Sequence, residues 1–302
     1  MNTNDAAQWR QVAAAVAGTQ QHPPGALYVV ATPIGNLADL SLRALHVLGL
    51  VDAIACEDTR HSAPMLRTLG IDAKPLLALH EHNEREAAQQ VIGRLERGER
   101  VAFISDAGTP AVSDPGAALV AAVREAGQRC IPIPGASSAV AALSVAGDAA
   151  AGGFRCVGFL PARGAERAQA LAALVAAVET QVLFEAPHRI EVLGGALATA
   201  CGARHITVCR ELTKQFESVE TMACEALPGW FAADANRLRG EFVLVLHSAA
   251  AKAADDAAAH DTTLRTLLAE LPLKQAVGLA AKLTGAPRNA LYERALAIKG
   301  TS

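Results

Sequence analysis

No stretch of the 302-residue chain approaches the roughly 18 consecutive apolar residues of a membrane span, and the polar start, residues 1–24, has no signal-peptide core. The six cysteines (Cys56, Cys130, Cys156, Cys201, Cys209, Cys224) form no CxxC pair, and several lie in apolar, strand-like runs. Reduced, buried thiols in a cytoplasmic protein fit that pattern better than disulfides or zinc. A Walker phosphate loop and a GxGxxG turn are both missing, so neither a nucleotide hydrolase nor a nicotinamide dehydrogenase is supported. HExxH is missing too, and the nine histidines show no metal spacing. His80 and His82 face the same way on an extended segment while Glu81 points elsewhere, so no metal is expected. There is no GxSxG elbow, and Ser137-Ser138 has no assigned base. A net charge of −3 gives no global basic field, so any nucleic-acid binding must rest on a local patch.

What is present is a globular composition, 51% hydrophobic and 19% charged, on a chain long enough for about two domains. From Gly25 the pattern strand, turn, helix repeats. Strands are expected at 27–31, 53–56, 76–79, 101–104 and 130–133, with helices between them, which implies a mostly parallel sheet covered on both faces. Small residues at 147–153 mark a domain boundary. The second half repeats the style less strictly, with strands at 156–159, 181–184, 205–208 and 241–246. The division is therefore a flexible tail at 1–24 with at most a short helix over 13–16, α/β domains at 25–146 and 153–247, a linker at 248–261 and a helical module at 262–302. Helices within the module are expected at 264–271, 274–283 and 289–298. From Asp261 onward there are six Lys/Arg and three Asp/Glu, so this piece is +3 and the remainder −6.

Polar clusters fall at the ends of the expected strands, and strand ends in a parallel sheet gather on one edge. These are Thr32-Pro33-Ile34-Gly35-Asn36, Glu57-Asp58-Thr59-Arg60, His80-Glu81-His82-Asn83-Glu84, Pro134-Gly135-Ala136-Ser137-Ser138 and Arg210-Glu211-Leu212-Thr213-Lys214. The longest is Ser105-Asp106-Ala107-Gly108-Thr109-Pro110-Ala111-Val112-Ser113-Asp114-Pro115-Gly116. It carries little bulk, Gly108 lets a ligand approach the backbone, and Asp114 with Pro115 suits the start of the next helix. Asp58, Asn83 and Ser113 would each serve equally well as caps. Several such clusters on one edge favour a binding crevice. Its lining of neutral backbone and small hydroxyls, rimmed by charge, suits a zwitterionic, adenosine-bearing ligand with a polar acceptor beside it.

These segments, the SDAGTPxxSDPG string above all, resemble the tetrapyrrole-methylase superfamily from about Gly25 to Leu246. Within it they resemble the branch that 2′-O-methylates a cytidine ribose in the decoding region of bacterial 16S rRNA. Tetrapyrrole-acting relatives carry a shorter GGDP-type loop at this point. One departure is Ala186, where a serine is expected before Pro187. The resemblance implies two α/β domains with mostly parallel or mixed sheets and S-adenosylmethionine in the cleft between them, a homodimer, and the small ribosomal subunit as partner. The cofactor would meet Pro33, Ile34, Gly35, Asp106, Ala107, Gly108, Thr109, Val112, Ser137, Ser138, Phe184, Glu185 and Leu212. The acceptor side would involve Glu57, Arg60, Asn83, Arg189 and Arg210. Asp58, His82, Glu84, Glu211 and Lys214 are candidates for handling the hydroxyl proton. Lys214 would close the site from the second domain. The C-terminal helices resemble a helix-turn-helix module, with Lys274, Lys282, Arg288, Asn289 and Arg294 as candidate RNA contacts. Methylation of a tetrapyrrole or a protein, and RNA binding without catalysis, stand as the alternatives.

Overall fold

Runs of four to six apolar residues bounded by glycine, proline and polar turns become strands, and the segments between them wind into helices that cover their faces. The computed structural model describes residues 3–71, 74–80, 83–112, 116–249 and 253–300. The first half holds α1 (Thr3–Ala17), β1 (Ala26–Val30), α2 (Leu42–Leu50), β2 (Ala53–Cys56), α3 (Thr59–Thr68), β3 (Leu76–Ala78), α4 (Glu84–Glu96), β4 (Val101–Ile104), α5 (Ala117–Glu125), β5 (Arg129–Ile133) and α6 (Ser138–Ala146). Its sheet runs β3-β2-β4-β1-β5, parallel throughout. Alternation along the strands splits the core in two. Tyr28, Val30, Ala102 and Ile104 pack with α2 and α3, whereas Leu27, Val101 and Phe103 pack with α4 and α5. Neighbouring strands β1 and β4 therefore send their chains to opposite faces, which opens a crevice at their carboxyl ends. Thr32 N donates to Gly108 O at 2.9 Å and Gly108 N donates to Thr32 O at 3.1 Å, clipping the two loops together across it.

The second half holds β6 (Phe154–Phe159), α7 (Gly164–Ala176), β7 (Thr180–Glu185), α8 (Ile190–Cys201), β8 (His205–Arg210), β9 (Ser218–Ala223), α9 (Leu227–Ala232) and β10 (Phe242–Leu246). Its sheet runs β6-β7-β10-β8-β9 and is mixed, because β10 lies antiparallel to both β7 and β8, and β9 antiparallel to β8. Helix α6 leaves the first sheet and buries Ala139, Ala142 and Ala146 against Val182, Cys209, Val243 and Val245 of the second. Helices α10 (Ala253–Glu270), α11 (Leu273–Thr284) and α12 (Arg288–Gly300) close on Leu264, Val277, Ala280, Leu291 and Ala295.

Four expectations are corrected. The tail is more than a short helix over 13–16: α1 runs Thr3–Ala17 and lays Ala6, Ala13 and Ala17 against the body, and Arg10 Nη1 donates to Gly70 O at 2.8 Å. Three alanines on one side make a face too weakly apolar to stand out in the sequence, yet narrow enough to pack closely. The linker at 248–261 is helical from Ala253, since an alanine-rich segment has high helix propensity whether or not it is amphipathic. Gly116, with φ 120°, occupies the N-cap of α5, and the expected cap Asp114 lies outside the described residues. Strand β9 was not foreseen; Glu220 and Thr221 interrupt its apolar pattern, and only pairing with β8 makes it a strand.

Two histidines sit where imidazolium is disfavoured. Burial and then the neighbouring His22 push His46 down; burial pushes His247 down, with Asp148 opposing and His205 and Arg204 assisting. The folded form then binds the proton more weakly than the unfolded chain does. Stability is full above the ordinary histidine value of 6.5 and falls as pH drops below it. The melting midpoint should therefore hold from about pH 8 to about pH 6.5 and decline from there to about pH 5.5, ahead of carboxylate titration. His46→Gln should flatten part of that slope; a midpoint constant over the range contradicts this assignment.

Candidate functional site

A cleft of about 370 Å³ opens between the two sheets. Ala107, Gly108, Thr109 and Val112 from the β4–α5 loop and Ser137, Ser138 and Ala139 from the start of α6 line one side. Phe159, Phe184, Glu185, Ala186, Pro187, Glu241, Phe242 and Val243 line the other. Gly108 has φ +82°, and a Cβ there would sit 3.3 Å from Ile34 Cγ2, so the backbone itself forms the floor. Thr109 Oγ1 donates to Ala136 O at 3.0 Å and joins this loop to the one before α6. Ser137 is the N-cap of α6 but its side chain caps nothing, which leaves the hydroxyl and the helix amino end available to an anionic group. Phe159 and Phe184, with ring centroids 5.5 Å apart, form an aromatic wall.

The second side is held by charge. Glu185 is fully buried; Arg189 Nε lies 2.9 Å from its Oε1, and Arg167 Nη1 lies 3.7 Å from its Oε2. Oε2 has no hydrogen-bond donor among the described residues. Arg189 Nη2 donates to Leu160 O at 2.6 Å, so this arginine, expected on the acceptor side, is a brace between the β6 and β7 loops. Arg210 is likewise committed, to Ser218 Oγ, Arg239 O and Phe216 O, and ties down the 210–218 loop. In that loop Glu211 (φ 53°) and Thr213 (φ 67°) adopt left-handed conformations that cost non-glycine residues energy; Ala111 (φ 64°) in the facing β4–α5 loop does the same. Backbone strain thus concentrates in the loops around the cleft.

Lys214 reaches from the second half to the first. Its stem crosses Gly35 so closely that a Cβ there would lie 2.5 Å from Lys214 Cγ, while Leu212 packs beneath among Val182, Cys209 and Val243. Nζ is 3.0 Å from Glu211 Oε1 and 3.0 Å from Glu241 Oε2. Burial pulls the Lys214 pKa down, but the bonds to Glu241 and Glu211 outweigh it and the net shift is upward. Burial pushes Glu211 up, yet the Glu241 amide and Lys214 bring it below the usual carboxylate range. Lys214 is thus an ammonium and Glu211 a fully engaged carboxylate, so both suit positioning better than proton transfer.

The remaining candidates divide. Asp58 caps α3, accepting from Arg60 N at 2.8 Å, and pairs with Arg60 Nη2 at 2.7 Å. The Arg60 hydrogen bonds hold its pKa at about 2, far from that of a base working at neutral pH. The Arg60 side chain is otherwise exposed, at 89%. Asp106 Oδ1 accepts from Asp58 N at 3.2 Å, and Glu57 Oε2 lies 3.5 Å from Asp106 N, which links the β2 and β4 loops. Glu84 Oε1 accepts from Gly116 N at 2.9 Å and so holds the amino end of α5, outside the cleft lining. Asn83 closes its own turn by accepting from His80 N at 2.8 Å and donating to Ala78 O at 2.9 Å. His82 lies outside the described residues. Pro33 follows Thr32 in the β1 loop beside Gly108 but is not part of the lining. Phe159, Glu241, Phe242 and Val243 were not anticipated. Among the described residues no group of three or more His, Cys, Asp or Glu could hold a metal, and no helix is long and apolar enough to cross a membrane.

Fold and cleft together define a methyltransferase of the two-domain kind, and the chain belongs to the family Tetrapyrrole (Corrin/Porphyrin) Methylases, matched over residues 26–228. Residues 253–299 match a second family, the RsmI C-terminal HTH domain. The chain is 44% identical over 277 residues to Ribosomal RNA small subunit methyltransferase I of Escherichia coli O157:H7, covering 91% of this chain and 96% of that protein. Among solved structures it is similar to diphthine synthase (TM-score 0.56, 18% identity, 74% of this chain and 90% of that one). It is also similar to Thermus thermophilus uroporphyrin-III C-methyltransferase complexed with S-adenosyl homocysteine (TM-score 0.50, 16% identity, 73% and 96%). Members of this class take their methyl group from S-adenosylmethionine, and the cleft fits that molecule. The free amino end of α6 suits a carboxylate, and the Phe159–Phe184 wall suits an adenine. Glu185 Oε2, which has a distant counter-charge in Arg167 but no hydrogen bond among the described residues, suits an ammonium or ribose hydroxyl.

Proposed function

We propose that this protein transfers a methyl group from S-adenosylmethionine to the 2′-oxygen of a cytidine ribose in the decoding region of 16S rRNA, acting on the small ribosomal subunit. The observation that carries the reading is the interdomain cleft, with Gly108 and the α6 amino end on one wall and the Lys214–Glu211–Glu241 cluster at its edge. Bound there, S-adenosylmethionine supplies an electrophilic methyl. The chain's part is to hold acceptor and donor aligned and to receive a proton. Gly108 and Ser137 bind the donor, Phe159 and Phe184 exclude water, and Lys214 fixes the second half against Gly35. The exposed Arg60 provides a phosphate contact on the rim. The experiment is incubation with methyl-labelled S-adenosylmethionine and small subunits lacking the modification, followed by mapping of the label. Label on a ribose supports the proposal; label on a base, a protein or a porphyrin overturns it.

Two variants divide the roles. Lys214→Ala should reduce methyl transfer at least about tenfold more than it reduces donor affinity; equal losses, measured by single turnover and calorimetry, would take Lys214 off the acceptor side. Removing residues 253–302 should weaken binding to ribosomal RNA and lower its salt dependence while donor affinity stays the same. Lys274, Lys282, Arg288 and Asn289 are the candidate contacts there. Arg294 is paired with Asp261 and holds α12 to α10. A truncated chain that binds RNA with the parental salt slope would show that the module does not contact it.

A further inference from the structure

We propose that Glu241 is the group that takes the proton from the acceptor hydroxyl, an inference that rests on the ribose-methylation reading above. Four observations point to it. Glu241 lines the cleft directly. Its side chain is 78% exposed, so it is open to an incoming substrate. Lys214 Nζ lies 3.0 Å from its Oε2, and among the described residues no hydrogen bond is made to Oε1, which leaves that oxygen as an acceptor. Its backbone is fixed in both directions by one residue: Glu241 N donates to Glu211 Oε1 at 2.8 Å, and Glu211 N donates to Glu241 O at 2.9 Å. A carboxylate on a pinned backbone, steered by an ammonium and half unoccupied, is organised for a ligand hydroxyl.

The competing carboxylates are committed elsewhere. Asp58 is locked by Arg60, Glu84 by the Gly116 amide, Glu185 by Arg189 and burial, and Glu211 by Lys214 and the Glu241 amide. In the step assigned to Glu241, the ribose O–C bond forms as the sulfonium S–CH₃ bond breaks, and the electron pair of that bond stays on sulfur. The hydroxyl proton moves to Glu241 Oε1 and from there to water. Lys214 keeps its proton and holds the carboxylate in place.

The test uses the full-length chain, methyl-labelled S-adenosylmethionine and small subunits lacking the modification, with single-turnover rates followed across pH and donor affinity measured separately by calorimetry. Glu241→Gln preserves the shape and an oxygen for Lys214 but removes the base. The rate should fall about 10²–10⁴-fold, and the rising limb of the pH–rate profile should disappear. Donor affinity should stay within about twofold of the parent, which also reports that the variant is folded. Glu241→Asp should recover part of the rate and the rising limb. A Glu241→Gln rate within about threefold of the parent with the same pH profile overturns the assignment, and so does a rate loss matched by an equal loss of donor affinity, which would place Glu241 on the donor. The two failures are distinguishable. A parent that labels something other than a ribose overturns the function proposed above and with it the hydroxyl proton that Glu241 would take. A parent that labels ribose while Glu241→Gln keeps its rate and pH profile overturns the role of Glu241 alone.

Discussion

Gly108→Val is expected to lower S-adenosylmethionine affinity by about a hundredfold, roughly 2.8 kcal/mol, while the protein remains folded. The floor of the cleft at this point is bare backbone at φ +82°, wedged between Ile34 and the Ala136 carbonyl. Valine fills the space that a ligand must approach, and it disfavours the left-handed conformation by about 1–2 kcal/mol. The Thr32–Gly108 clip, which fixes the β1 loop against the β4 loop, is strained at the same time. Calorimetry measures the affinity and a thermal melt measures the fold. A variant that binds the donor like the parent would mean that it lies elsewhere in the cleft.

Arg189→Ala should reduce global stability by about 3–5 kcal/mol, because it leaves the fully buried Glu185 carboxylate without its closest counter-charge. Arg167, at 3.7 Å, is too distant to compensate fully. The β6 and β7 loops lose a brace as well, since the guanidinium also donates to Leu160 O. Glu185→Gln in the same background should restore much of the loss, because a neutral amide does not need the cation. Chemical denaturation of both variants decides it. If the single variant loses less than about 1 kcal/mol, a value usual for exposed pairs, then the brace is not structural. A binding residue would show the reverse pattern, with affinity lost and stability kept.

The first sheet was readable because its strands are short, fully apolar and separated by strong turn residues. The parallel-sheet rule then placed the loops after β1, β2, β4 and β5 on one edge. The loops that carry Gly108, Thr109, Val112, Ser137 and Ser138 were placed in this way, and the choice of individual residues in them, like that of Phe184 and Glu185, came from the resemblance. Glu241 escaped the rule because β10 is antiparallel, so its amino end, not its carboxyl end, comes to that edge. Nothing in Arg239-Gly240-Glu241 announces the direction of the strand it precedes. Charge misled in another way. Arg189, Arg210, Glu84 and Asn83 occupy strand-end clusters, yet their side chains satisfy carbonyls, amides and a buried acid of the protein itself. Composition gives an arginine's address and not its partner. Alanine hid most of α1, since a helix whose contact face is methyl groups has little amphipathic signature, and it hid the start of α10, which has no apolar period.

Helix α6 has one end in the lining of the cleft and its flank buried in the opposite sheet. The two halves are thus not beads on a string: the rod that presents Ser137 is anchored in the neighbour's interior. Cutting the chain after Ala146 would strip the second half of its covering layer and leave the first with a naked methyl-lined stave. The width of the gap is accordingly set by how α6 seats on β7, β8 and β10, and repacking Ala142 or Val245, far from any reacting atom, would retune the enzyme's grip on its donor.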